Sequence, residues 1–506
     1  MKHNLLIILL LMPIMAICQN NQRINKNVDQ DSLMQLKSCV EKNPNDIDAH
    51  NKIIKYLGIE NPDLLVIYEA WLKKFPKSAV VPFAIGEAYA NAESPKAKPW
   101  LLKAIAIDST MAKAYFNLWL DGERWGDFIG AREYLKKAME ADPTNPDYAF
   151  YYRSGYKDID TNLYRQGMLE MPKLFPTSER GAQALYWLGI FVKSPKEKEA
   201  VYTQLKNTYP PDKFRWSSSG MYNFFYFYLE NNPNKALELA KYMLSISTED
   251  RDKKYWNDCS QLADNFAKAK NLISEKKYRE ALDVIESCKP GRYSQAIELI
   301  NFMKAETLDA LGETQKAYNQ LIKYYASTPG DNVWKIIDTY GKKLKKNSNT
   351  MKADLWKIWD SIAVPATPFC LEQYMKPGKA CLSDFKGKVV LLTYWFPGCG
   401  PCRGEFPHFE NVIRKYSKDK VEYLAINIAP EQDEYVVPFV KSSGYSFIPL
   451  KDEPDKRGNL TAVGAPTNYL IDQNGRIVFK NFRIDADNER MLELMINELL
   501  DHTTIK

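Results

Sequence analysis

Two textures of hydrophobic and polar positions divide this chain. From about residue 31 to residue 345, apolar and small residues recur at helical spacing. The helical runs are cut by a regular punctuation: Asn43-Pro44, Phe75-Pro76, Asp108-Ser109, Asp142-Pro143, Phe175-Pro176 and Tyr209-Pro210, with Ser109 in the proline place. Successive marks lie 32, 33, 34, 33 and 34 residues apart. From Val364 the texture changes. Short β-type runs (389–394, 421–428, 467–471 and 477–479) alternate with helical stretches (402–416, 435–442 and 488–500). That order, βαβ followed by ββα, predicts an α/β sandwich.

A period near 34 residues belongs to helix–turn–helix repeats of the tetratricopeptide kind. Small and aromatic residues fall where such repeats need them: Tyr115, Leu118, Ala131, Leu135 and Ala138 before Pro143, and Gly86, Tyr89, Ala97 and Ala104 one unit earlier. Ala305, Ala317, Leu321 and Pro329 fit a later copy, while the spacing drifts between about 211 and 290. The aromatic run Met221 to Tyr228 is expected in the core of this array. A solenoid offers a concave face to partners, with a plain spacer as the alternative. The charged run Lys342 to Asn349 and the amphipathic segment Met351 to Ile362 mark the passage between textures. The expected organisation is therefore multidomain: a signal peptide at 1–18, an all-α helical-repeat solenoid at 19–345, a linker helix at 346–362 and an α/β domain at 363–506.

Composition adds bounds. The 506 residues are 45% hydrophobic and 26% charged, which suits folded protein rather than disorder. A net charge of +6 without a basic block predicts no nucleic-acid groove. Four histidines, His3, His50, His408 and His502, have no metal-ligand spacing among themselves or with cysteines, so no metal and no cofactor is expected. Lys2 and His3 precede the apolar run Leu5 to Ile17, which is too short for an ordinary transmembrane helix. Ala16-Ile17-Cys18 resembles a cleavage site, so export is expected, with a lipid anchor at Cys18 as the alternative. Export implies a compartment where disulfides persist.

The candidate chemistry lies in Tyr394-Trp395-Phe396-Pro397-Gly398-Cys399-Gly400-Pro401-Cys402, where an apolar strand runs into a helical segment. A cysteine at a helix start meets free N–H groups and the positive end of the helix dipole, which favour a thiolate. Cys399 is then the exposed nucleophile, and Cys402, one turn later and more buried, the resolving thiol. Cys370 and Cys381 flank Lys376-Pro377-Gly378-Lys379. On a hairpin they could face each other in a structural disulfide, or they remain two buried thiols, because register is not set by sequence. Cys39 and Cys288 occupy small-residue places and read as buried packing, whereas Cys259 has no assigned role. His408 reads as a surface helix residue.

The block Lys388 to Trp395 leading into Cys399-Gly400-Pro401-Cys402, followed by Gly464-Ala465-Pro466-Thr467 and Asp472-Gln473-Asn474-Gly475, resembles the thioredoxin superfamily. Leu382-Ser383-Asp384-Phe385-Lys386-Gly387-Lys388 and Glu405-Phe406-Pro407 resemble its extracytoplasmic TlpA/ResA-like branch. The resemblance covers about 364–506. It implies a thioredoxin-like fold and thiol–disulfide exchange through a redox-active Cys399–Cys402 pair. It further implies a cis Pro466 opposite the dithiol, backbone hydrogen bonds from Ala465 to a substrate strand, and a proton-handling role for Glu405. Trp395, Gly398, Ala465 and Pro466 would line the substrate cleft. Protein disulfides would be the substrates, a membrane or periplasmic protein the electron donor, and the bacterial periplasm or cell envelope the location. Gly-Pro between the cysteines favours a reductase.

Two departures stand out. Gly398 replaces the usual aromatic before the first cysteine, and Thr393 replaces a buried aspartate, which shifts the proton-handling expectation onto Glu405. A thiol peroxidase of the same fold would need a threonine three residues before its reactive cysteine, where Cys399 stands relative to Cys402. A scaffold protein with secondary redox activity is the remaining alternative.

Overall fold

In the computed structural model the described residues are 30–291 and 294–504. The expected signal peptide, the polar leader and the Cys18 anchor site lie outside them. Among the described residues, nineteen α-helices follow one another from Gln30–Lys42 to Ser348–Ile362, before any strand begins. No helix among them is long and apolar enough to cross a membrane.

The punctuation marks fall in turns between helices. Pro143, for example, sits between the helices Phe128–Ala141 and Pro146–Ser154. Asp142 Oδ1 accepts the Thr144 N–H at 3.2 Å and Asn145 Oδ1 the Asp147 N–H at 2.9 Å, satisfying amides that a helix start leaves open. Ala104, Ala131, Ala138, Ala305 and Ala317 are all fully buried where helices meet, and Tyr89, Tyr115 and Leu118 fill the spaces beside them. Of the aromatic run, Met221, Phe224 and Phe225 are buried in the central core of the array. Cys39 departs from expectation: it is exposed, because its neighbour Val40 takes the inward position. Cys259 is buried and Cys288 partly so.

The strands are β1 (Val364–Pro365), β2 (Cys370–Glu372), β3 (Lys379–Cys381), β4 (Val389–Trp395), β5 (Val421–Asn427), β6 (Ile448–Lys451), β7 (Thr467–Ile471) and β8 (Arg476–Lys480). Six form one sheet in the order β1-β8-β7-β4-β5-β6, and β2 and β3 form a separate hairpin. β4 runs parallel to β5 and antiparallel to β7. All seven residues of β4 are buried, as a strand covered on both faces requires. Alternation divides them. Val389, Leu391 and Trp395 join a core with the helices Gly400–Ile413, Asp433–Ser443 and Glu489–Thr504. Val390, Leu392 and Tyr394 face Phe369, Leu371, Ala380 and Phe385 around the hairpin.

The helix Ser348–Ile362 does more than connect. Trp359 donates its indole N–H to the Ala326 carbonyl at 2.9 Å and packs edge-on against Phe479, with ring centres 5.4 Å apart. The array grips the sheet region at several places, among them the Lys193–Asp487 ion pair and two further contacts. At one, Arg490 makes two bonds to Asp331, at 2.8 and 3.0 Å. At the other, the helix Ala112–Trp125 lies against Asp433–Ser443. Trp125 meets Tyr435 with ring centres 4.9 Å apart, and the Tyr435 hydroxyl donates to Asp121 Oδ1 at 2.8 Å. Gly126 ends that helix at φ +74°, and a Cβ there would stand 2.8 Å from the Phe439 carbonyl oxygen. Both the left-handed backbone and the close approach call for glycine.

Candidate active site

The site is built where β4 ends. Beyond Trp395 the chain turns through Phe396, Pro397 and Gly398, and Cys399 becomes the N-cap of the helix Gly400–Ile413. Its sulfur accepts the Cys402 N–H at 3.2 Å, so one amide of the first turn points at the nucleophile position. Cys399 and Cys402 are joined in a disulfide with Cα atoms 5.3 Å apart. The Ala465–Pro466 bond is cis. The Tyr394–Thr467 pairing of β4 and β7 puts Pro466 beside the end of β4 that leads into the dithiol.

Cys402 is fully buried as expected, but Cys399 is only 3% exposed, against the exposed nucleophile that the sequence predicts. Cys399 belongs to the hydrophobic core around β4, and the two residues before it are themselves held. Gly398 donates its N–H to Gln432 Oε1 at 2.7 Å, and the Gln432 carboxamide in turn bonds the Glu93 carboxylate of the helical array. The Pro397 carbonyl accepts from Arg403 Nη1 at 2.8 Å. Trp395 likewise is no surface residue: it is fully buried against Phe406, Phe439 and Phe447, with ring centres 5.1 to 5.4 Å away. Its expected place along the cleft does not match this position. Alternation along β4 turns its ring into the core. Ala465 is half-buried and Pro466 buried, while Val463, just before them, is fully exposed.

Glu405 is buried on the same helix, three residues after Cys402, so the two lie on one face. Its Oε2 accepts from Asn468 Nδ2 at 3.0 Å and lies 3.6 Å from the Arg483 guanidinium, and its Oε1 accepts the Ile484 N–H at 3.1 Å. Thr393, in the place of the usual aspartate, donates its hydroxyl to Asn468 Oδ1 at 2.7 Å. A buried Thr393–Asn468–Glu405 chain thus links the central strand to the dithiol helix. Asn468 and Gln432 escaped sequence reasoning, as no local pattern marks either; only the Thr393–Asn468 strand register reveals the first. His408, expected at the surface, is buried instead and pairs through Nδ1 with Glu489 Oε1 at 2.6 Å.

Burial pushes the Glu405 carboxyl above its ordinary value of 4.5, against the lowering pull of Asn468, Arg483 and the Ile484 N–H. The folded chain therefore binds this proton more tightly than the unfolded chain. Stability falls as pH rises from 4.5 through the raised value, and the loss is complete above it. Glu405→Gln removes the titration, so the stability of the native protein relative to the variant is expected to decline across that window. Denaturant midpoints at about pH 4 to 8 check this, and a difference independent of pH would contradict it.

A family model described as Redoxin matches residues 363–492. Among curated proteins, the thioredoxin-like protein YneN of Bacillus subtilis is 34% identical over 146 residues, 28% of this chain and 77% of that protein. The thiol-disulfide oxidoreductase ResA of Geobacillus kaustophilus is 36% identical over 115 residues, 22% of this chain and 66% of that protein. The chain spans 66% of that ResA and 55% of the one from Geobacillus thermodenitrificans. A solved thiol:disulfide interchange protein of the thioredoxin family, from Chlorobium tepidum, is 19% identical and covers 27% of this chain and 97% of its own, with a TM-score of 0.25.

Proposed function

Through its C-terminal region the chain belongs to the thioredoxin-like redoxin family, and on that premise we propose that it is an exported thiol–disulfide oxidoreductase acting on protein disulfides. The observation that carries this reading is the Cys399–Cys402 disulfide at a strand-to-helix junction, with Cys399 as the N-cap of its helix. In the reduced form, the Cys399 thiolate attacks one sulfur of a substrate disulfide. A mixed disulfide forms, and the other substrate sulfur leaves as a thiolate. Cys402 then attacks the Cys399 sulfur, so the second substrate thiolate is released and the Cys399–Cys402 bond closes. Two electrons pass to the substrate. Glu405 takes up the Cys402 proton in this scheme, a role suited to a buried carboxyl with a raised pKa.

The reductase direction follows the Gly400-Pro401 pair. Each turnover leaves the Cys399–Cys402 pair oxidised, so a membrane or periplasmic donor must return two electrons to restore the dithiol. Residues 1–18 serve as the export signal, 19–345 as a tetratricopeptide-like partner-binding array, 346–362 as the connecting helix and 363–506 as the redox domain. Ala465 and Pro466 shape the cleft that receives the substrate strand.

Cys402→Ala tests the scheme, because it leaves the first attack intact and removes the second. Full-length variant expressed in the cell envelope is expected to accumulate mixed disulfides through Cys399, which disappear on reduction and are absent from Cys399→Ser/Cys402→Ala. Finding no adducts, from a native protein whose dithiol also fails to equilibrate with glutathione, would sink the proposal.

A further inference from the structure

The two residues immediately before the nucleophile are both held from the helical array. Gly398 N–H is bonded to Gln432, and Gln432 to Glu93, which lies just past the helix Val80–Asn91. Glu93 is itself fixed by Arg124 Nη2 at 3.1 Å. Pro397 O is bonded to Arg403, whose Nε lies 3.5 Å from Glu123 Oε2 on the helix Ala112–Trp125. Each half of the shoulder therefore has one intermediary from the redox domain and one carboxylate from the array. Gln432 and Arg124 are buried, whereas the Glu93 side chain between them is 40% exposed, so the chain is shielded from water on both sides of that carboxylate. Fit is as tight as bonding. A Cβ on Gly398 would stand 2.9 Å from Glu93 Oε2 and 3.0 Å from both polar atoms of the Gln432 carboxamide. The unusual glycine thus coincides with the place where the array closes on the redox domain. Behind this shoulder Cys399 is 3% exposed.

We propose that Glu93 and Glu123 are specificity-determining residues of the dithiol: by clamping Gly398 through Gln432 and Pro397 through Arg403, they close the shoulder over Cys399. The clamp discriminates against disulfides that approach the sulfur without engaging the array, small ones above all. A protein substrate that docks on the array and displaces the two carboxylates frees the shoulder and gains the sulfur. The inference rests on the exchange function proposed above, but access to the sulfur is measured without turnover.

The test uses the full-length reduced chain and iodoacetamide, a small neutral alkylating agent, with the modified cysteine located by mass spectrometry. Glu93→Ala/Glu123→Ala is expected to raise the Cys399 alkylation rate at least about tenfold, with the midpoint of its pH dependence unmoved, which marks access rather than thiolate formation. The rate of reaction with 2-hydroxyethyl disulfide rises by the same factor. Gly398→Ala displaces the Glu93 and Gln432 side chains from the redox side and is expected to act in the same direction; it carries the test if the double variant does not fold. Glu93→Gln, which keeps an acceptor for the Gln432 amide, stays within about threefold of the native rate. An unchanged rate in a folded variant overturns the proposal, as does an increase explained wholly by a shifted midpoint. A clamp variant that alkylates faster while the native protein exchanges no protein disulfide would preserve the clamp and remove the proposed function instead.

Discussion

Cys399→Ser is expected to lower the reduction of a protein disulfide such as insulin by about 10³-fold or more while leaving thermal unfolding nearly unchanged from that of the reduced native protein. The two halves of that expectation have one structural source. Position 399 is the N-cap of the helix Gly400–Ile413, and its side chain accepts the Cys402 N–H. Serine is among the best N-cap residues, so the hydroxyl can accept the same amide and the helix start keeps its bond. Nucleophilic attack is another matter. A helix start can bring a thiol, ordinarily near pKa 8.5, into the range where the thiolate is populated at neutral pH. A serine hydroxyl is a weak nucleophile at its free pKa and stays protonated at neutral pH in the same place. Cys402→Ser separates the steps, because it retains attack and stops at the mixed disulfide. If Cys399→Ser kept a tenth or more of native activity, another thiol would be the nucleophile; Cys39 is the exposed free cysteine among the described residues.

What was legible in the sequence was local. The dithiol, the strand before it and the helix after it are adjacent in the chain, so their order alone specifies a strand-to-helix junction. The 34-residue punctuation similarly marks turns, because each proline acts on its own helix end. Failures occur where a neighbour from elsewhere decides. Cys39 and Val40 are both apolar and compatible with the repeat, and only packing tells which faces inward. Trp395 is placed correctly at the end of β4, yet its burial depends on Phe439 and Phe447 from later elements. His408 finds Glu489 eighty-one residues away. The closed shoulder is the extreme case: Glu93 and Gln432 are 339 residues apart, and neither belongs to a motif. Gly398 carried the one sequence trace of it, as a departure whose cause lies in the other half of the chain.

The hairpin disulfide is a second large expected effect, this time on stability. Cys370 and Cys381 are directly opposed residues of β2 and β3, and their sulfurs are bonded. Neither cysteine is buried, so the bond contributes little by packing and acts mainly by closing a loop across a separation of eleven residues. Loop-closure entropy puts that constraint at about 3 kcal/mol. The hairpin is not an isolated ornament. Leu371 and Ala380 turn inward to the core beneath β4, Gln373 bridges to Leu450 of β6, and the Tyr374 hydroxyl bonds Asp433 and accepts from Asn427. Asp433 follows Gln432 directly, so opening of the hairpin reaches the segment that holds Gly398. Cys370→Ser/Cys381→Ser in the full chain is therefore expected to lower the opening free energy of the amides in β2, β3 and β6 by about 3 kcal/mol, read by hydrogen exchange, while amides in the first helices of the array keep their protection. A loss below about 0.5 kcal/mol would mean that strand pairing and the Tyr374 bonds already hold the hairpin closed, leaving the cross-link no stabilising part.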